Sequence, residues 1–357
     1  MCSVAIPLSQ RACVLPRVQS DVKLVTDHPV VHPSQLLPGQ CLVKLTHSGV
    51  CHTDLAIKQG ETPIAPKTDL VGGHEGIGSV VAIGLHTLHS PVRIGDRVGI
   101  KLAATTCLSC EMCLKGYEGH CENTTRCGVA VDGTFCEYAV AYTDYVTPIP
   151  DGLDSAEAAA IMCAGITVYS ALLQSGTHVG DWIVIPGAGG GLGHLAIQYA
   201  VTMGLRVIAV DSGEDKRRLC LELGSERWID FRETTDIAAD IISITEGGAH
   251  AALVTAGGSA AYDIAATYLR PKGYLMVVGL PPNAMLSIPI LLVAAKGLTI
   301  RGIFLGNRQE AIEAVKLAAA GKVRCRFTLR GLSELNQVYD EMEKGGIVGR
   351  VVLDIGR

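Results

Sequence analysis

The sequence has no long hydrophobic run. No stretch of about 18 or more apolar residues escapes interruption by Gly, Pro, Lys or Asp, so no membrane span is expected. It has no excess of positive charge: 30 Lys plus Arg stand against 35 Asp plus Glu, for a net charge of -5. That argues against a general nucleic-acid binder, which needs a cationic surface to displace counterions. Met1 to Gln10 carries no basic region followed by an apolar core, so no secretory signal is expected there. Charged residues make up only 18% and aromatic ones 4%, with four Phe and two Trp. Apolar residues reach 48% and the mean hydropathy is +0.32, enough for a large core, which excludes disorder as the main state. The 357 residues fit two domains, or three.

Two residue types are abundant instead: 41 glycines and 13 cysteines. An odd cysteine count leaves one thiol over in any closed disulfide framework. Without a signal segment, a reducing cytoplasmic location is the expectation, and clustered cysteines there read as metal ligands. Cys107, Cys110, Cys113 and Cys121 follow the spacing C-x2-C-x2-C-x7-C. Four thiolates close a tetrahedral shell, which is the pattern of structural zinc. A 4Fe–4S cluster competes, because its motif also opens C-x2-C-x2-C, but that motif continues x3-C-P and this one does not. Cys2, Cys13, Cys41, Cys127, Cys136, Cys220 and Cys325 read as ordinary small apolar residues.

A second set is dispersed. Cys51, His74 and Cys163 make a Cys2His trio, and three protein ligands leave one tetrahedral position open for water or substrate. Asp54 suits the carboxylate that receives a ligand histidine's other N–H. Glu75 adjoins His74 and could approach a metal from behind. Each of these residues taken singly reads as structural.

The glycines are densest over Gly187, Gly189, Gly190, Gly191 and Gly193, with Ala188 and Leu192 between them. An apolar run, Trp182 to Ile185, precedes this turn, and a helical pattern from His194 to Gly204 follows it. A second apolar run then ends at Asp211. Strand, glycine turn, helix, strand and terminal acid form a dinucleotide-binding unit, with the pyrophosphate at the helix N-terminus. The strict G-x-G-x-x-G spacing fails at Ala188, and the turn reads G-x-x-G-x-x-G. A carboxylate at Asp211 can accept ribose hydroxyls and would repel a 2′-phosphate, which favours NAD over NADP. Lys216 and Arg217 follow it and leave a switch of preference open.

Short β-like runs with Gly and Pro turns fill the first 160 residues, and strands alternate with helices from about 164 to 297. The expected fold is α/β: a β-rich domain over 1–163 and 298–357, and a doubly wound parallel-sheet domain over 164–297, with a cleft between them.

Several motifs in order carry a family resemblance. They are SGVCHTDL at 48–55, GGHEGIG at 72–78, the four-cysteine lobe, AGITVYSAL at 164–172, GAGGGLGHLAIQYA at 187–200 and IVGR at 347–350. Over nearly its full length the chain resembles the zinc-dependent medium-chain alcohol dehydrogenases, most of all the fungal, yeast-type ones. The resemblance implies a GroES-like catalytic domain with a Rossmann NAD-binding domain, one catalytic and one structural Zn2+, and a reversible hydride transfer between NAD(H) and an alcohol, aldehyde or ketone. It implies catalytic zinc on Cys51, His74 and Cys163 with Glu75 as alternating ligand, and structural zinc on the four-cysteine lobe. It assigns Thr53 to proton transfer, and Asp211 and Lys216 to the adenosine ribose. His52 and Arg350 fall near the pyrophosphate, while Thr167, Phe231, Val278 and Leu280 match cofactor-pocket positions. A homo-oligomer, tetramer or dimer, is a further implication.

Two departures matter. The yeast-type motif continues CHTDLH, and its histidine ends a proton relay; here Leu55 is followed by Ala56. Two tryptophans that narrow the yeast-type pocket stand here as Thr62 and Leu102. A pocket wider than one built for ethanol is expected, and with it a bulkier substrate, as in specialised metabolism. Two competitors remain: a zinc-independent enoyl or quinone reductase on the same fold, and a noncatalytic binding protein derived from it.

Overall fold

Strands that are apolar on both faces need cover on both faces, and parallel strands joined by helices supply it. The computed structural model, which describes residues 5–62 and 64–357, builds such a sheet from six strands. Their spatial order is Arg227–Asp230, Arg206–Asp211, Trp182–Pro186, Ala249–Val254, Leu269–Val277 and Thr299–Gly302. Every neighbouring pair runs parallel. Numbered along the chain this is 3-2-1-4-5-6, the doubly wound order, in which the order of the strands reverses beside the first strand. All five residues of Trp182–Pro186 are buried, and the glycine turn leaves from its carboxyl end.

The chain divides into two compact units. One comprises Ala164–Gly306 and Ala320–Arg326, and contains this sheet. The expected boundary at 297/298 therefore moves to 306/307. The cause is Thr299–Gly302, which pairs with Leu269–Val277 and extends the parallel sheet by one strand. Its burial pattern is mostly exposed, so it offers none of the apolar signal that marks the other strands.

The other unit comprises Met1–Cys163, Asn307–Ala319 and Phe327–Arg357. Its main sheet is built around Gln40–Val50, which pairs antiparallel with Glu75–Ile83, Tyr138–Tyr142 and Arg350–Asp354. That register sets Gly49 opposite Glu75 and Val50 opposite Val351. The core beneath is aliphatic, with Val43, Leu45, Val80, Val98, Val338 and Leu353 among its buried members and Phe135 as its one phenylalanine. Scarcity of rings is met by β-branched and leucine side chains. Ser155–Leu173 is long and apolar enough to cross a membrane, but 94% of it is buried, as in a core helix. Cys13, Cys41, Cys127, Cys136 and Cys220 are buried free thiols and Cys325 is half-buried, while Cys2 lies outside the described residues.

One buried cation stands out. Lys101 is 5% exposed; its ammonium donates to the Tyr145 carbonyl and, at 3.4 Å, to Thr147 Oγ1. Burial pushes it down to about 7, with Glu118 opposing and Arg308 adding to the shift. The unfolded chain's lysine titrates near 10.4. Between these values the unfolded state holds the extra proton, so stability from this group rises with pH. Relative to the wild type, Lys101→Met is therefore expected to lose stability as pH goes from 7 to 9, approaching about 1.4 kcal/mol per pH unit. Urea midpoints across that range measure it, and parallel curves for the two proteins would contradict it.

Candidate active site and metal centres

Cys51 ends the Gln40–Val50 strand and caps the helix His52–Gln59. The carboxylate of Asp54, in the first turn of that helix, accepts the Cys51 backbone N–H at Oδ2, 2.9 Å away. Its other oxygen, Oδ1, lies 2.9 Å from His74 Nδ1. Both side chains are fully buried; with Nδ1–H donated to the carboxylate, the neutral imidazole would present its Nε2 lone pair to a metal. His74 Nε2 is buried with no hydrogen-bond partner. An orphaned acceptor of that kind costs about 1–3 kcal/mol unless something fills its place.

Metal chemistry fits it. The ligand atoms of Cys51, His74, Glu75 and Cys163 all lie within 4.8 Å of one another, and all four residues are buried. The two sulfurs are 3.9 Å apart. Their shared proton holds Cys51 well below the usual thiol range and Cys163 well above it, burial adding to the latter. Cys163 sits in a π-helical turn, Ile161–Gly165, inside the Ser155–Leu173 helix. Such turns insert one residue into a helix and re-aim its side chains.

Glu75 is wholly buried, and burial pushes its carboxyl up to about 7 against the opposing effect of Arg350. Arg350 Nη2 donates to both Glu75 oxygens, at 2.6 Å to Oε2. Expected near a pyrophosphate, Arg350 is thus found 6% exposed and paired to Glu75, with its Nε lacking a partner. Space for this pair comes from glycine. A Cβ at Gly49 would lie 1.9 Å from Glu75 Oε2. Gly73, just before His74, has φ +89, and a Cβ there would strike the Phe135 ring at 2.7 Å. Gly49 is therefore a steric requirement of the buried Glu75 carboxylate, and Gly73 one of the Phe135 ring.

Thr53 is half-buried with Oγ1 3.8 Å from Cys51 Sγ, and His52 is exposed at the helix start. Ala56 lies in the same helix and supplies no titratable group. Thr62 is half-buried, its hydroxyl turned onto the Ile64 carbonyl at 3.0 Å, and Leu102 is buried at 4% exposure.

The second group, Cys107, Cys110, Cys113 and Cys121, also lies with all four sulfurs within 4.8 Å. Cys107 Sγ accepts the Cys110 N–H at 3.3 Å. Backbone N–H groups of Ser109 and Cys110 pull Cys107 down to about 5, toward the thiolate that a metal needs.

In the parallel-sheet unit, Asp211 ends its strand with Oδ2 2.9 Å from the Gly189 N–H. Its Oδ1 accepts from Lys216 Nζ at 2.9 Å and from the Ser212 N–H at 2.8 Å. Gly187 turns with φ +82, and a Cβ at Gly193 would lie 2.2 Å from the Gly187 carbonyl. Small residues thus press the turn, Gly190, Gly191 and Leu192 included, onto the start of the helix Gly193–Thr202. Thr167 and Val278 are buried, whereas Phe231 and Leu280 are 46% and 68% exposed.

Residues 37–151 match the alcohol dehydrogenase GroES-like domain, and residues 191–320 match the zinc-binding dehydrogenase family. Fold and site together define a zinc-binding dehydrogenase. The chain is 41% identical to alcohol dehydrogenase 1 of Emericella nidulans over 99% of either chain, and 42% identical to alcohol dehydrogenase 1 of Neurospora crassa over 92% of either. Among solved structures, the alcohol dehydrogenase of Aeropyrum pernix superposes with a TM-score of 0.86 at 30% identity, covering 97% of this chain and 100% of that one. Acetophenone reductase from Geotrichum candidum, solved in complex with NAD, gives 0.85 at 28% over 99% of each. The chain belongs to the zinc-binding alcohol dehydrogenase family.

Gly49→Ala is expected to drive Glu75 off Arg350 and strand a buried cation. Breaking a buried pair in this way costs about 3 kcal/mol or more. Thermal denaturation checks it: Tm should fall by several degrees, and an unchanged Tm would refute the steric account.

Proposed function

We propose that this chain is a zinc-dependent, NAD-linked alcohol oxidoreductase that interconverts an alcohol and its aldehyde or ketone, acting on substrates bulkier than ethanol. The observation that carries the reading is His74 Nε2, buried and unpartnered, converging with two cysteine sulfurs and the Glu75 carboxylate. When bound there, zinc supplies Lewis-acid polarisation of the substrate oxygen. Asp54 fixes the imidazole tautomer, so His74 presents its lone pair without a rotational search. Thr53, beside Cys51, offers the hydroxyl that carries the alcohol's proton away. With Ala56 in place of a histidine, that proton continues to solvent without a titratable side chain at the end. Arg350 holds the Glu75 carboxylate beside Cys51, His74 and Cys163, which would together hold the zinc.

NAD supplies the hydride acceptor. The Gly187–Gly193 turn admits a pyrophosphate against the N-terminus of the Gly193–Thr202 helix. Asp211 and Lys216 meet the adenosine ribose, and the Asp211 carboxylate disfavours a 2′-phosphate. His52 and Arg350 match positions near the pyrophosphate, with Thr167, Phe231, Val278 and Leu280 along the cofactor. Four-thiolate zinc at Cys107, Cys110, Cys113 and Cys121 is structural. A zinc-independent enoyl or quinone reductase, or a noncatalytic binder, would leave the His74 lone pair buried for nothing.

A homo-oligomer, dimer or tetramer, suits one face of the molecule. Thr299–Gly302 is an edge strand, and its Ile300 shares one apolar groove with Leu286 and Ile290, the three 40–86% exposed. A second copy would cover this face and pair the open edge. Free thiols suit a reducing cytoplasm.

Thr62 and Leu102 set the substrate prediction. On a panel of primary and secondary alcohols with NAD, kcat/KM is expected to be higher for at least one bulky substrate than for ethanol. Ethanol ranking above every bulky alcohol would remove the wider-pocket reading.

A further inference from the structure

One buried hydrogen-bond chain has no part in the reaction described above. It ends on the four-cysteine lobe. Thr106 is 8% exposed, and its Oγ1 lies 3.3 Å from Cys113 Sγ. The same oxygen is hydrogen-bonded to the Tyr145 hydroxyl. Tyr145 is 2% exposed, and burial pushes its phenol up, so it keeps its proton. Its carbonyl is held by Lys101, and its ring centroid lies 5.2 Å from both Lys101 Nζ and the Arg308 guanidinium. Arg308 in turn pairs with Glu118 at 2.8 Å, between Cys113 and Cys121, and Asn307 Nδ2 donates to the Gly116 carbonyl at 3.1 Å. The tyrosine is therefore fixed from several sides.

Chemistry sets the direction of each bond. A sulfur that ligates zinc has lost its proton and can only accept. Thr106 must then donate its single O–H to Cys113. The lone pairs left on Thr106 oxygen accept the Tyr145 O–H. The chain runs one way, from Tyr145 through Thr106 to the sulfur.

We propose that Thr106, backed by Tyr145, is a positioning residue for the structural metal: its hydroxyl holds the Cys113 sulfur in the ligand set and sets how long the lobe retains zinc. This rests on the reading that the lobe holds zinc. Four thiolates around one divalent ion leave excess negative charge on the sulfurs. An O–H donor draws off part of it and occupies a lone pair that a proton would otherwise attack. Partners of this outer kind are worth about 10–100-fold in metal affinity.

The test uses the full-length zinc-loaded protein and two readouts: zinc per chain by plasma emission, and the rate of zinc transfer to a chromophoric chelator. Thr106→Val should speed release from the lobe about 10–100-fold, and Thr106→Ser, which keeps the hydroxyl, should stay within about twofold of wild type. Tyr145→Phe should move the rate the same way by less, and covers the case in which Thr106→Val fails to fold. Wild-type release rates in Thr106→Val and Tyr145→Phe, with two zinc ions per chain, overturn this proposal alone. A wild-type protein whose zinc content is unchanged by Cys110→Ser and Cys121→Ser overturns it together with the structural-zinc reading.

Discussion

The arrangement of the site depends on one hydrogen bond, from His74 Nδ1 to Asp54 Oδ1 at 2.9 Å. It leaves Nε2, buried and without a hydrogen-bond partner, to face the other ligand groups. The same carboxylate accepts the Cys51 N–H and so starts the helix that carries Thr53. One buried aspartate therefore orients two members of the metal group and the hydroxyl next to them. Everything around it accommodates the buried charge. Gly49 gives way to Glu75, and Arg350 compensates Glu75 from the far end of the chain.

Burial of this kind is expensive unless each group is paired. The structure meets that cost unevenly. Asp54 and Glu75 are satisfied by protein groups, whereas His74 Nε2 and Arg350 Nε are not. Of these, His74 Nε2 belongs to the residue that converges with Cys51, Glu75 and Cys163, and a bound metal would meet it.

Local spacing made most of this legible before any coordinates. The four-cysteine lobe lies within fifteen positions, and the glycine turn with its terminal acid within twenty-five, so their chemistry is written in short segments. Asp54 could be paired with His74 because a ligand imidazole needs a carboxylate and few candidates lie nearby. What escaped was non-local or unpatterned. The Arg350–Glu75 pair spans 275 positions. Cys163 is aimed by a π-helical turn that helical periodicity does not reveal. The boundary near 297 missed Thr299–Gly302 because an edge strand exposes residues that an inner strand would bury. The hydroxyl chain from Tyr145 to Cys113 joins residues with no motif in common.

The central claim is that the Cys51, His74, Glu75 and Cys163 group holds a zinc ion on which alcohol oxidation depends. Zinc content and NAD-linked alcohol oxidation, measured on the same preparations of wild type and Cys51→Ser, test it most directly. The account predicts that zinc falls from two ions per chain to one and that turnover is lost while the fold remains. Loss of one zinc with turnover retained would contradict it.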